Sequence, residues 1–327
     1  MKREAAATEC LVHILIPCYG RVAYLRESVQ SVITELGRHG DSRSVRITVV
    51  DDASPRSEIA EAVAAFPEVS YLRNARNLGI VGNFNHCLEI SEGKYSVFMG
   101  SDDLFSPGYL EQITFAIREF CSPTIICPSV AVIDWHSQPS NPLADRVKRV
   151  IMPRRTGRVP SLANRDFSCV ESSGDRAVAR LMVGDYLYFP ALAWKTQALR
   201  SVGFSQSAGV ATDLYAACRC LLRGGTLVTF RSRPAVFRYR RHAESASSVG
   251  AGDGTRVEEE RWVHEQVGRL ARQRGWKLTP IAASLRPTSR LHSWSGRVGS
   301  SRLGQALASV TSSAGGRANT GQPSDRS

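Results

Sequence analysis

Short apolar runs alternate with helical periodicity over the first 135 residues, and no other feature limits the possible folds as strongly. Such runs suit strands in a sheet interior, whereas apolar residues three and four positions apart suit one face of a helix. Alternation of this kind produces βαβ units, so we predict an α/β fold with a mostly parallel central sheet and helices on both faces. The strands are expected at 11–16, 45–50, 69–72, 95–99 and 124–133, and the helices at 22–36, 59–66, 80–90 and 113–120.

The alternation stops in a segment rich in Pro, Ser, Asn and Arg, between residues 134 and 173. Residues 146–165 contain seven Lys or Arg and no acid. We interpret this part as a loop or short hairpin beside a site, the alternative being a solvated insertion. Beyond it, the spacing predicts a helix at 212–222, strands at 226–230 and 235–239, and an amphipathic helix at 257–276.

Composition narrows the class of protein. A chain of 327 residues with 43% hydrophobic residues can form a substantial core, and its formal net charge of +12 favours anionic partners. No run approaches the roughly 18 apolar residues of a transmembrane helix, and Thr8-Glu9 interrupts the only apolar start, so no signal peptide is predicted. Eight cysteines without a CxxC pair favour buried, reduced thiols in a cytoplasmic protein.

An acidic pair follows the strand predicted at 95–99, in the segment Gly100-Ser101-Asp102-Asp103. Adjacent carboxylates at the end of a buried strand are costly unless they face solvent or a cation. Ligands of open α/β sheets bind at this end of the strands, and Mg²⁺ or Mn²⁺ bound with a phosphorylated substrate would suit the position. The alternative is a helix start, with Ser106 as N-cap and Pro107 as the first helical residue.

Two other predicted strands end in polar segments, Pro17-Cys18-Tyr19-Gly20 and Asp51-Asp52-Ala53-Ser54. The carboxyl ends of parallel strands meet at one edge, so these segments are expected beside the acidic pair. There Asp51 can accept a hydrogen bond from the N3–H of uracil, and Tyr19 can stack on the base. The alternative for Asp52 is an Asx turn that caps the helix after Pro55.

Several motifs with these residues occur in a characteristic order. They are Ile16-Pro17-Cys18-Tyr19-Gly20-Arg21, Val49-Val50-Asp51-Asp52-Ala53-Ser54, Asn77-Leu78-Gly79, Glu92-Gly93-Lys94-Tyr95 with Asp102-Asp103 and Pro107, Gly203-Phe204, Thr212-Asp213-Leu214-Tyr215, and Arg238-Tyr239-Arg240-Arg241-His242 with Ser245 and Ser247. Over roughly residues 11–248 this order closely resembles the family 2 glycosyltransferases of GT-A (Rossmann-like) fold.

The resemblance implies a role for individual residues. It implies a nucleobase pocket formed by Pro17, Tyr19 and Asp51, and a loop and helix start beside the donor formed by Asn77, Gly79 and Asn83. It implies a divalent metal site in which Asp103 lies nearest the metal, Asp102 lies towards the ribose or sugar, and His242 completes the metal or diphosphate site. It also implies Asp213 as the general base and Trp194 with Arg240 on the acceptor side. A core position for Trp194 is equally compatible with the sequence.

The chemistry requires such residue types. Mg²⁺ or Mn²⁺ neutralises the diphosphate leaving group, and a carboxylate on the opposite face takes the proton of the acceptor hydroxyl, which inverts the anomeric configuration. We expect the positive end of a helix dipole to keep Asp213 ionised. Three residues depart from the family pattern: Gly20 replaces the usual Asn, Gly100 an acid, and Thr212 a Glu.

We therefore expect a metal-dependent, inverting glycosyltransferase that moves a sugar from a nucleoside diphosphate donor, with UDP-sugars favoured, to a hydroxyl acceptor. The basic residues suggest a lipid-linked acceptor in cell-surface polysaccharide or glycolipid assembly, at the inner face of the plasma membrane. A sugar-nucleotide-binding relative with weak catalysis, a nucleotidyltransferase and, last, a nucleic-acid-binding protein are the alternatives.

The same reading divides the chain into parts with different roles. It predicts an N-terminal tail at 1–10, a glycosyltransferase domain at 11–248, a C-terminal amphipathic helix at 249–286 and a disordered tail at 287–327. Within the domain, 11–135 form the nucleotide-sugar-binding half and 136–248 the acceptor-binding half.

Overall fold

A computed structural model describes residues 10–20, 22–40, 44–153, 167–241 and 255–285. The strands are β1 (Val12–Cys18), β2 (Val45–Asp51), β3 (Ser70–Arg73), β4 (Tyr95–Phe98), β5 (Leu104–Phe105), β6 (Ile125–Cys127), β7 (Val130–Ile133), β8 (Pro139–Ser140), β9 (Phe167–Ser173), β10 (Ala193–Lys195), β11 (Thr226–Ser232) and β12 (Phe237–Arg240). The helices are α1 (Leu25–His39), α2 (Glu58–Val63), α3 (Gly79–Ile90), α4 (Tyr109–Glu119), α5 (Leu143–Ile151), α6 (Gly174–Val183), α7 (Thr196–Arg200), α8 (Thr212–Leu222), α9 (Thr255–Gln273) and α10 (Leu278–Leu285). Short 3-10 helices lie at Phe189–Ala191 and Gln206–Ala211.

The central sheet has eight strands in the order β3-β2-β1-β4-β10-β6-β11-β9. The first four strands are parallel, and β6 and β11 are parallel to each other. Strand β10 runs antiparallel between β4 and β6, and β9 is an antiparallel edge strand. The predicted α/β fold class is therefore confirmed, with antiparallel strands in the half beyond β4.

Helices cover both faces of this sheet. In β1 the side chains of Ile14 and Ile16 pack into one apolar cluster with α1, α2 and α4, whereas Leu15 packs into the other with α3, α6 and α8. This division follows from the period of two in a strand, which sends successive side chains to opposite faces. A strand that is buried on both faces reads as a continuous apolar run, which is why β1 and β4 were recognisable in the sequence.

A second sheet, in the order β5-β12-β7-β8, lies next to the acidic pair. The strand predicted at 124–133 is in fact two strands, β6 in the central sheet and β7 in the second. The break falls at Pro128-Ser129, where Pro lacks an N–H for a sheet ladder and the Ser129 carbonyl accepts hydrogen bonds from Val236 and Phe237. This break brings β12 alongside β5, immediately after Asp103.

Three other predictions about local structure were wrong or incomplete. The segment at 134–173 is not a loop or hairpin throughout, because it contains α5. Helix α4 starts at Tyr109 after Gly108, so Ser106 is not its N-cap. The C-terminal helix is interrupted, with a turn at Gly275 (φ 72°) between α9 and α10. Residues 1–9 and 286–327, including the predicted tail at 287–327, lie outside the described residues.

Glu35 of α1 caps the N-terminus of α4. Its buried carboxylate accepts hydrogen bonds from the N–H groups of Gly108 (3.0 Å) and Leu110 (3.1 Å). These are N–H groups that a helix start leaves without an intrahelical partner. A side chain of α1 therefore holds α4 in place behind the acidic pair.

We predict that Glu35→Ala lowers the free energy of unfolding by about 1–3 kcal/mol, because it leaves two buried N–H groups without an acceptor. Denaturant titration of the purified protein measures this change. Glu119→Ala, at the exposed end of α4, is the control and should stay within about 0.5 kcal/mol of the wild type. Equal effects of the two substitutions would contradict the capping role.

Candidate active site

The ends of β2, β1 and β4 lie side by side at one edge of the central sheet, as predicted. Cys18 at the end of β1 pairs with Asp51 at the end of β2. The N–H of Gly20 donates to Ser54 Oγ at 2.8 Å and so ties the two segments together. The ring of Tyr19 is 54% exposed beside them, and Pro17 is partly buried. An exposed ring at this edge is available for stacking on a base.

Asp51 is fully buried and its carboxylate already has several donors. Oδ1 accepts from the N–H of Ser54 (2.9 Å), and Oδ2 accepts from Tyr71 Oη (2.8 Å) and Arg73 (2.7 Å). Burial by itself would raise the pKa of Asp51, but these hydrogen bonds and the Arg73 charge hold it below its usual range. The carboxylate is therefore ionised. It has no accessible surface and its oxygens bind Ser54, Tyr71 and Arg73 in this structure, so contact with uracil stays a prediction.

Tyr71 and Arg73 are site residues that the sequence analysis missed. Both lie on β3, where Arg73 is the register partner of Asp51. The signal that could have found them is the polar Tyr-Leu-Arg pattern of β3. This edge strand pairs with β2 and is the strand nearest the predicted nucleobase pocket.

Asp52 organises the loop before α3 and does not form an Asx turn. Its Oδ1 accepts from Asn74 Nδ2 and from the N–H of Leu78, both at 2.8 Å. The side chain of Asp51 instead accepts the N–H of Ser54, three residues further on. The alternative given for Asp52 was therefore wrong, because the buried carboxylate faces the loop at 74–78.

The three residues predicted beside the donor lie at the start of α3. Asn83 is buried, and its Oδ1 accepts from Asn74 at 3.0 Å, so it supports the loop from within. Asn77 Oδ1 accepts from the N–H of Gly79 at 2.9 Å, in an exposed turn where Gly79 has φ 72°. Asn77 and Gly79 are the two of the three that solvent, and hence a donor, can reach.

The acidic pair converges on the space above Gly100. A Cβ built on Gly100 would lie 2.5 Å from Asp103 Oδ2 and 2.8 Å from Asp102 Oδ1. Asp103 is 1% exposed, and its Oδ2 has no hydrogen-bond partner among the described residues. Burial, followed by the neighbouring Asp102, raises the pKa of Asp103 well above its usual range. An orphaned buried oxygen next to a second carboxylate fits a divalent cation, whose charge would favour ionised acids.

The described part of the chain contains no group of three His, Cys, Asp or Glu residues that could hold a metal ion. His242, the third predicted ligand, lies outside the described residues. Two carboxylates are nevertheless a usual protein contribution for Mg²⁺, which takes its remaining ligands from phosphates and water.

Arg240 was predicted on the acceptor side, and the structure corrects this. Its side chain is fully buried, so an acceptor cannot reach it. The backbone N–H donates to Asp103 Oδ1 (2.8 Å), and Nε donates to the Asp102 carbonyl (2.7 Å). The guanidinium also donates to Ser137 Oγ and to Glu27 Oε2, both at 2.8 Å. Arg240 therefore fixes the conformation of the acidic pair.

Trp194 was predicted either to stack on an acceptor sugar or to lie in the core. The structure places it in the core, at 0% exposure on β10, with the rings of Phe189 and Phe204 at 6.2 and 6.5 Å. A side chain without accessible surface cannot contact a sugar, so the acceptor-side assignment was wrong.

Asp213 lies in the first turn of α8 and is partly exposed. Burial and the nearby charge of Asp185 raise its pKa to about 7, against the opposing effects of the Leu214 N–H, Lys148 and Arg256. The expected effect of the helix dipole is therefore not the dominant one, because desolvation and a like charge outweigh it. A carboxylate with a pKa near neutrality suits a general base.

Helix α5 connects the acidic pair with the surroundings of Asp213. Asp145 on α5 accepts from Tyr188 Oη (2.8 Å) and Arg241 (3.0 Å), the residue after Arg240. One turn later, Lys148 Nζ donates to the Leu187 carbonyl at 2.6 Å and lies 3.6 Å from Asp185 Oδ2. Asp145 and Lys148 were not identified from the sequence, because 134–173 was interpreted as a loop or short hairpin. Asp185 lies beyond that segment and was also not identified.

Comparison with known proteins now decides the family. Residues 13–171 match the model of glycosyl transferase family 2. This matched segment belongs to the family 2 glycosyltransferases, and the fold is of the GT-A type. The matched range includes the nucleotide-side residues and the acidic pair, whereas Asp213 and Arg240 lie beyond it. Their roles in this glycosyltransferase therefore depend on the geometry.

Relatives align with only part of their own length. The protein MT1568 of Mycobacterium tuberculosis, itself uncharacterized, is 32% identical over 35% of this chain and 34% of its own. The minor teichoic acid biosynthesis protein GgaB of Bacillus subtilis is 30% identical over 31% of this chain and 11% of its own. The chain thus spans less than two thirds of the curated relatives it matches.

Solved structures show the same fold at low identity. TarS 1–349 of S. aureus in complex with UDP-GlcNAc gives a TM-score of 0.53 at 16% identity, over 78% of this chain and 65% of that one. The mannosyltransferase PcManGT of Pyrobaculum calidifontis, in complex with GDP-Man and Mn²⁺, gives 0.52 at 15% identity, over 93% and 79%. In the described part of our glycosyltransferase, no helix has the length and apolar character needed to cross a membrane.

We predict that Arg240→Lys destabilises the fold by about 3–5 kcal/mol, because an ammonium cannot replace the guanidinium that joins the Asp102 carbonyl, Ser137 and Glu27. Thermal and denaturant unfolding measure the change. Arg233→Lys, an exposed residue in the turn before β12, is the matched control and should behave as the wild type. A tolerated Arg240→Lys would show that the acidic pair does not depend on this residue.

Proposed function

We propose that the protein is a metal-dependent, inverting glycosyltransferase that moves a sugar from a nucleoside diphosphate donor to an acceptor hydroxyl. The observation that carries this proposal is the convergence of Asp102 Oδ1 and Asp103 Oδ2 above Gly100, at the strand edge that also presents Tyr19 and Asp51. Asp103 and Asp102 would hold Mn²⁺ or Mg²⁺, with His242 as a further proposed ligand. The bound cation would neutralise the negative charge of the diphosphate leaving group.

The chain's own residues bind and orient the donor in this proposal. Tyr19 presents an exposed ring for the base, next to Pro17, and the ionised Asp51 lies at the same edge. Asn77 and Gly79 form the exposed turn at the start of α3, beside the donor. We favour a UDP-sugar, as bound in the TarS structure, although the mannosyltransferase neighbour carries GDP-Man.

Asp213 is the proposed general base. Its partly exposed carboxylate has a pKa of about 7, so it is substantially ionised at neutral pH and can accept the proton of the acceptor hydroxyl at Oδ. Attack by this hydroxyl on the anomeric carbon, opposite the departing diphosphate, inverts the configuration. Asp185 holds the pKa of Asp213 near neutrality and Lys148 moderates that effect, so both are positioning residues.

The acceptor is proposed to be an anionic or lipid-linked saccharide in cell-surface polysaccharide or glycolipid assembly. Support comes from the net charge of +12 and from the similarity to a teichoic acid biosynthesis protein. We accordingly propose a cytoplasmic location at the inner face of the plasma membrane.

The test of the proposal separates donor binding from transfer. Asp103→Asn should abolish the Mn²⁺-dependent thermal shift produced by the matching nucleotide sugar in a donor panel, because one of the two converging carboxylates is lost. Asp213→Asn should keep that shift but lose transfer by at least about a hundredfold, as is usual for removal of a general base.

Two outcomes would each contradict one part of the proposal. A shift without transfer in the wild type, across a panel of acceptors, would favour the sugar-nucleotide-binding alternative without turnover. Full transfer by Asp213→Asn would reject Asp213 as the base. Asp52→Asn would not serve as a control because Asp52 is structural; the exposed Glu68→Gln is suitable.

A pH prediction follows from the charges around Asp213, which are Asp185, Lys148 and Arg256. Transfer should rise with pH through about 7, because only the deprotonated carboxylate accepts a proton. Asp185→Asn removes the charge that raises the pKa of Asp213 and should shift this limb of the profile to lower pH. Glu68→Gln should leave it in place, and an unshifted profile of kcat/KM in Asp185→Asn would contradict the coupling.

A further inference from the structure

Helix α5 directs Asp145, Lys148 and Ile151 towards the protein and a row of apolar residues towards solvent. Asp145 is 1% exposed and bound to Tyr188 and Arg241, and Lys148 contacts the Leu187 carbonyl. The opposite face presents Leu143, Val147 and Val150, which are 72%, 38% and 69% exposed. This arrangement reverses the usual pattern of a surface helix, whose apolar face is directed to the core.

Leu143, Val147 and Val150, which we name the α5 stripe, follow the i, i+4, i+7 spacing that places side chains on one face of a helix. Single exposed apolar residues are normal on a protein surface and need no explanation. Three of them in a row, on a helix whose other face is fixed by partly buried ion pairs, indicate a surface that binds something apolar.

The charge beside the α5 stripe identifies the partner. Arg146 and Arg149 are exposed on the same helix, and the chain as a whole has 42 Lys and Arg against 30 Asp and Glu. An apolar strip with basic residues at its side complements a bilayer with anionic headgroups, in which apolar side chains enter the boundary between headgroups and acyl chains.

A second copy of the chain fits this surface less well than a bilayer. Two copies joined through the α5 stripe would bring Arg146 and Arg149 of both helices together, which is unfavourable. A nine-residue helix is also only about 13–14 Å long, which is small for a stable protein–protein interface.

We propose that the α5 stripe docks the protein on an anionic lipid bilayer. Leu143, Val147 and Val150 enter the headgroup boundary, and Arg146 and Arg149 bind acidic headgroups. The inward face of the same helix contacts Asp185 through Lys148, so the docked helix lies between the bilayer and the surroundings of Asp213. Docking itself does not require catalysis, whereas its use in delivering a lipid-linked acceptor rests on the proposed function.

The chain offers a matched control on α10. Leu278, Ile281 and Leu285 form a second exposed apolar row, at 46%, 59% and 54% exposure, on a helix without charged residues. It has comparable apolar character, and no basic residue occurs within the helix, although Lys277 and Arg286 flank it in the sequence. The proposal therefore predicts that only the α5 stripe determines binding to anionic lipid.

The test is co-sedimentation of the full chain with phosphatidylglycerol-containing vesicles and with pure phosphatidylcholine vesicles. The wild type should bind the anionic vesicles at least about tenfold more tightly than the neutral ones, and less tightly as salt is raised. The triple variant Leu143→Ser, Val147→Ser, Val150→Ser and the double variant Arg146→Gln, Arg149→Gln should each lose at least about tenfold. The triple variant Leu278→Ser, Ile281→Ser, Leu285→Ser should bind as the wild type does.

Several results would overturn the proposal. They are equal binding to neutral vesicles, equal loss in the α10 variant, unchanged binding of the α5 variants, or a wild-type dimer in light scattering that the α5 triple variant converts to a monomer. The Mn²⁺-dependent thermal shift with nucleotide sugar checks folding of every variant. Because that shift also tests the proposed function, loss of vesicle binding with the shift intact separates the two proposals.

Discussion

The buried guanidinium of Arg240 is the interaction on which the acidic pair depends. It holds the Asp102 carbonyl, Ser137 and Glu27 of α1, while its backbone N–H occupies one oxygen of Asp103. A fully desolvated arginine is costly without such partners. Arg240 and these groups therefore stabilise one another, and loss of either destabilises this region. The consequence is chemical: with Oδ1 of Asp103 occupied by the backbone, only Oδ2 is left to face Asp102.

The pKa values of Asp51 and Asp213 are shifted in opposite directions. At Asp51, hydrogen bonds and an arginine outweigh burial and keep the carboxylate ionised, whereas at Asp213 burial and Asp185 prevail and raise the pKa to about 7. The difference matches the surroundings of each, since Asp51 is a fixed charge that binds Ser54, Tyr71 and Arg73, whereas a base must exchange a proton near neutral pH. Helix α5 lies between the acidic pair and Asp213, so its ion pairs help to fix their separation.

The sequence was most informative for strands that are buried on both faces, and least informative for elements whose two faces have different surroundings. Strands β1, β2 and β4 are apolar on both faces, so their positions and the meeting of their ends could be predicted. The segment predicted as one strand at 124–133 forms two strands. Pro128 was a visible signal of the break, whereas the change of sheet has no signature in the local periodicity. Helix α5 was missed because its buried face consists of Asp145 and Lys148, whose partners come from residues 185–188 and 241 and are invisible to local periodicity. Trp194 could not be placed because a tryptophan in a core and one on a sugar have the same local pattern.

Gly100 shows how a departure from a family pattern acquires a physical reason. In the sequence, a glycine in place of an acid looked like the loss of a metal ligand. In the structure, any side chain at this position would begin 2.5 Å from Asp103 Oδ2 and 2.8 Å from Asp102 Oδ1, closer than real Cβ atoms approach their neighbours. An acid at 100 and the present directions of the two carboxylates therefore exclude each other. The glycine is what allows both oxygens to point at the same space, so the two-carboxylate site follows from the substitution and is not merely what remains after it.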